Sequence, residues 1–98
     1  MDAQPSGRFE VTDHYELSGR GAFVIGYIRE GKVKVGDSVP LPDSSVSWTI
    51  SGIEFLDNIS KRKYWNALLF KEHPARADVE AAFPVGSFVD IYEDVPES

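Results

Sequence analysis

A chain of 98 residues with 42% apolar content can bury one core, is too apolar for a disordered tail, and is too short for two independent domains. The absence of cysteine excludes disulfides, thiolate metal sites and cysteine nucleophiles; no apolar run approaches the roughly 18 residues of a membrane-spanning helix. Sixteen acidic against ten basic residues, a formal charge of −6, set the global field against a phosphate backbone, although a local basic face could still hold RNA.

Residues 1–7 are polar with Pro and Gly. They have neither the basic region nor the hydrophobic stretch of a secretory signal, and read as a flexible N-terminal tail of a cytoplasmic chain. A period of two follows. Phe9, Val11 and Asp13 alternate with Arg8, Glu10 and Thr12, and Tyr15 and Leu17 continue the run. Ala22–Ile28 is rich in β-branched and aromatic residues and predicts a central strand. Gly26 inside it marks either a bulge or a close approach of another backbone. Turns at Glu30-Gly31-Lys32 and Lys34-Val35-Gly36-Asp37 lead to a strand over 38–41. A long alternating run over 46–56 comes next, then a polar loop ending in Lys61-Arg62-Lys63, and a further strand over 64–70. Pro74 to Phe83 is the one helical candidate, with an early Pro and a stop at Pro84 and Gly86. Ser87–Tyr92 is the closing strand, and residues 94–98 form an acidic tail. About six short strands with one brief helical turn predict an all-β fold, a small closed six-stranded barrel over residues 8–93. Closure removes the exposed edges that strands this apolar would otherwise present.

The densest pattern is Leu17-Ser18-Gly19-Arg20-Gly21 through Val33-Lys34-Val35-Gly36-Asp37-Ser38-Val39. It resembles the start of the second, barrel-shaped domain of translation GTPases such as elongation factor Tu. There a strand ends at Ser-Gly-Arg-Gly, and Val-Lys-Val-Gly-Asp leads into a later one. Gly19 and Gly21 suit a tight strand connection, and Gly31 and Gly36 a positive φ. Phe9–Asp13, Ile50–Phe55 and Asp78-Val79-Glu80 extend the likeness to roughly residues 8–92. The chain contains no Gly-x-x-x-x-Gly-Lys-Ser/Thr loop, so the resemblance implies a stand-alone barrel without nucleotide hydrolysis. In elongation factor Tu this barrel helps hold the aminoacyl end of tRNA. The matching positions are Thr12, Asp13 and Tyr15, with Arg20 in the following turn. Thr12 replaces an acidic residue of the family and Tyr15 a Phe.

Other constellations are sparse. His14 and His73 lie far apart in polar or turn surroundings and read as exposed, without the convergent ligands a metal needs. Asp78 and Glu80 diverge on the helical candidate, Glu54 and Asp57 read as solvated charge, and Ser18, Ser38 and Ser51 lack a His with an orienting acid. Catalytic residues, metal ligands and cofactors are therefore not expected, and the chain does not read as an enzyme. Lys61, Arg62 and Lys63 beside Tyr64 and Trp65 combine cations with flat rings, as a nucleic-acid contact would. Trp48 and Trp65 read as core or semi-core, with a place in a protein-binding surface as the alternative. The expected function is a non-catalytic binding module with a protein partner, its alternative an RNA-binding module linked to tRNA or the ribosome. Neither reading involves a membrane. Candidate contacts are Thr12, Asp13, Tyr15, Arg20, Lys61, Arg62, Lys63 and Tyr64.

Overall fold

The structure, a computed structural model, describes residues 4–42, 44–58 and 63–93. Chain order is β1 (Gly7–Leu17), β2 (Gly21–Gly31), β3 (Ser38–Pro40), β4 (Ser47–Asn58), β5 (Lys63–Phe70), α1 (Arg76–Ala82) and β6 (Phe88–Ile91). The strands form one antiparallel series, β3-β4-β5-β2-β1-β6. Its ends meet where the Ser38 and Tyr92 amides donate to each other's carbonyls at 2.8 and 2.9 Å. The expected six-stranded, nearly closed barrel is what forms. No helix among the described residues is long and apolar enough to cross a membrane.

The core fills the barrel interior from every strand. Phe9 and Val11 of β1, Val24 of β2, Val39 of β3, Trp48 and Ile50 of β4, Leu68 and Phe70 of β5 and Ile91 of β6 pack with Val79 and Phe83. Trp48 is core, its ring 5.2 Å from Phe70 and 5.8 Å from Phe83. The helix is only seven residues long and presents a single buried residue, Val79. Tertiary packing, rather than propensity, must therefore hold it. Val79 and the Phe83 that follows it anchor the helix to the core.

Two corrections to the sequence reading follow from β1. Alternation predicts Phe9, Val11, Asp13, Tyr15 and Leu17 on one side, but the register against β2 slips between Val11 and Asp13. Thr12 is the extra residue of a β-bulge, its hydroxyl donating to the Ile25 carbonyl at 3.1 Å. A one-residue slip exchanges the two faces of everything beyond it. Asp13, Tyr15 and Leu17 therefore point outward, and His14, expected to be exposed, points inward with 6% of its surface accessible. Its Nε2 lies 2.6 Å from the Phe83 carbonyl, a hydrogen bond that ties the end of α1 to β1.

The N-terminal boundary also shifts. Ser6 donates both its amide and its hydroxyl to the Ile91 carbonyl, at 2.7 and 3.1 Å, and Gly7 already belongs to β1. Residues 6 and 7 are thus part of the barrel rather than of a tail. At the other end Lys34 pairs with Glu93 at 3.6 Å.

Gly19, Gly21, Gly31 and Gly36 all take positive φ, as their turns require. Gly26 answers the choice left open by the sequence. It pairs with Val11 on one side and Asn66 on the other, and a Cβ there would lie 1.7 Å from the Glu10 carbonyl oxygen. The crossing backbone, not a positive φ, demands glycine.

Candidate functional site

The barrel wall made by β1, β2, β5 and β4 is apolar on both sides. Val24 and Leu68 face the interior, so their sequence neighbours face out. Those neighbours, Phe23, Ile25, Ala67 and Leu69, form a second buried cluster with Trp65 packed against it. Tyr15 stands opposite Phe23 in the register, and their rings stack at 6.2 Å between centroids. Leu56 stands opposite Trp65. Tyr15 remains 52% and Leu56 37% exposed.

The bulge at Thr12 builds the groove. Thr12, Asp13 and Tyr15 from β1, Ile25 from β2, Leu56 from β4 and Trp65 from β5 line a hollow of about 370 Å³. Thr12 is half-buried and spends its hydroxyl proton on Ile25, while the Asp13 carboxylate accepts the His14 amide at 2.8 Å. Two flat rings, two aliphatic chains and one carboxylate therefore meet at a concave spot, the mixture that binding pockets use.

The eight residues singled out by sequence separate into three groups. Thr12, Asp13 and Tyr15 share this groove. Arg20 lies in a neighbouring hollow with Ser51, Gly52, Glu54, Leu69 and His73; Leu69 links that hollow to the apolar cluster. Lys63 and Tyr64 lie where β4 and β5 continue as a two-stranded arm beyond the residues of β5 that pair with β2. Tyr64 is on the other face of that arm from Trp65, stacked on Phe55 at 5.6 Å, and both rings are more than half exposed. Lys61 and Arg62 lie outside the described residues. Of the basic-aromatic run, the described Tyr64 and Trp65 face opposite ways.

Ile25 and Leu56 are the groove residues that sequence reasoning missed; it offers Trp65 as a core or partner-binding ring, without these neighbours. Their signal lies in pairing rather than in spacing, because only the β4–β5 register places Leu56 beside Trp65. Among the described residues no three His, Asp or Glu side chains converge as metal ligands would. Compared with known proteins, the chain matches no family model, and no curated protein matches it significantly.

Proposed function

We propose that this domain is a non-catalytic, cytoplasmic binding module whose outward β1-β2-β5-β4 face docks a protein partner. The supporting observation is the apolar groove between Tyr15, Ile25, Leu56 and Trp65, with half-exposed Tyr15 at its edge. Rings of this kind on a rigid sheet anchor partners at low entropic cost. The barrel supplies rigidity, and its loops and this one face supply specificity. In this reading the likeness to the second domain of translation GTPases describes a barrel used as a platform.

A second reading has its own observation. Thr12, Asp13 and Tyr15, the positions matched to the aminoacyl-end contacts of elongation factor Tu, line one groove. That arrangement suits a module linked to tRNA or the ribosome. One experiment separates the two. The tagged chain and its Tyr15→Ser/Leu56→Ser variant are used to recover partners from lysate, with and without nuclease. A stoichiometric protein that survives nuclease and is lost from the variant supports the docking face. RNA recovered only without nuclease, with binding that falls steeply with salt, supports the second reading and overturns the first.

A further inference from the structure

Charge on the outward face is ordered by the strand register. Asp13 pairs with Ile25, Ile25 with Ala67, and Ala67 with Glu54, in one row across β1, β2, β5 and β4. Side chains in such a row share a face. Two apolar side chains therefore lie between two carboxylates whose strands are three spacings, about 14 Å, apart. The two ends differ. Glu54 lines a hollow that Arg20 also lines, whereas no basic side chain is found among the described residues that line the groove at Asp13. The His14 amide binds one Asp13 oxygen, and no described residue is hydrogen-bonded to the second.

We infer that the groove accepts an extended segment of a partner protein in which a large apolar side chain neighbours a lysine or arginine. The apolar chain lies between Tyr15 and Trp65, against Ile25 and Leu56, and the cation meets the Asp13 carboxylate. This rests on the protein-docking reading and adds its chemistry. Charge decides the class of segment: an acidic segment or a terminal phosphate would bring like charge to Asp13 on a chain that is already −6. A cation there gains a charge-assisted hydrogen bond and faster encounter. Thr12 adds neither a cation nor a free hydroxyl proton that would favour an anion instead.

The test is selection of random dodecapeptides displayed on phage against the full chain, against its Tyr15→Ser and Asp13→Asn variants, and against Asp13→Lys. Asp13→Asn keeps an oxygen for the His14 amide, so it changes charge with little change of shape. Expected from the wild type are peptides with Arg or Lys beside Leu, Phe or Trp. Asp13→Asn should weaken them about twofold to fivefold, the scale of one exposed charge pair, and Tyr15→Ser by about tenfold or more. Selection on Asp13→Lys should turn toward acidic peptides. Peptides that need Tyr15 but are acidic, or are indifferent to Asp13→Asn, overturn the inference while the docking face stands. A selection with no peptide dependent on Tyr15 overturns both.

Discussion

Two single residues carry more of this fold than their types suggest. Gly26 sits where β2 passes under the Glu10 carbonyl, and a methyl group there would lie 1.7 Å from that oxygen. Backbone, not a flexible side-chain tip, would have to move. Gly26→Ala should therefore cost more than about 3 kcal/mol, above the usual range for overpacking. Gly52→Ala serves as the control, since its new methyl would first meet the Leu69 Cβ at 3.8 Å, and it should lie within about 1 kcal/mol of wild type. Urea unfolding midpoints of the two variants check the contrast. His14 is the second case. Its ring nitrogen and the Phe83 carbonyl are each other's buried partners, so His14→Leu keeps the apolar bulk and strands an acceptor. The expected loss is about 1–3 kcal/mol, read from the same denaturation curves.

At the scale of elements, the bulge in β1 decides what the molecule can present. Strand existence was legible from alternation and from β-branched runs: Ala22–Ile28 and the stretch before Phe70 predict strands that do form. Face assignment past Val11 was not legible, because an inserted residue leaves a period-two pattern looking continuous. The polar neighbours of His14, which suggest exposure, do not reveal the inward turn either. Asp13 and Tyr15 were singled out only through a resemblance, and their partners Leu56 and Trp65 come from strands more than forty residues further on. Because Thr12 is the extra residue, removing it leaves Asp13 next to Val11 in ordinary alternation, still opposite Ile25 and outward, with His14 still inward. We expect the deletion variant to fold and to keep the register beyond Val11, its groove losing only the Thr12 wall. Thr12→Val, which loses only the hydrogen bond to Ile25, should keep the fold at a cost of about 1 kcal/mol. Dispersion of the amide NMR spectrum checks both. A deletion variant without dispersed amides would mean that the barrel needs the bulge itself in order to close.

At the scale of the whole molecule, closure is long in sequence and thin in bonding. Ser6 reaches Ile91 across 85 positions, and among the described residues the seam between β3 and β6 has one reciprocal pair, Ser38 with Tyr92. Pro40 follows two residues later and has no amide to continue the ladder toward β6. The β1–β2 contact, by contrast, runs the full length of both strands. A structure built this way should not open as one unit. Local openings cost less where few hydrogen bonds and little apolar contact must be broken. The Ser38 and Tyr92 amides should therefore exchange with solvent through a sub-global opening, while those of Val24 and Leu68 wait for global unfolding. Native-state hydrogen exchange at increasing urea tests this directly. Seam amides that exchange with little urea dependence would show that the barrel breathes between β3 and β6 while the β1-β2-β5-β4 wall stays intact. That wall carries the groove, so a partner bound to it should slow exchange at Ile25 and Ala67 without protecting the seam. Equal urea dependence at all four amides would instead make the barrel a single cooperative unit, closed as firmly at Ser38 as at its centre.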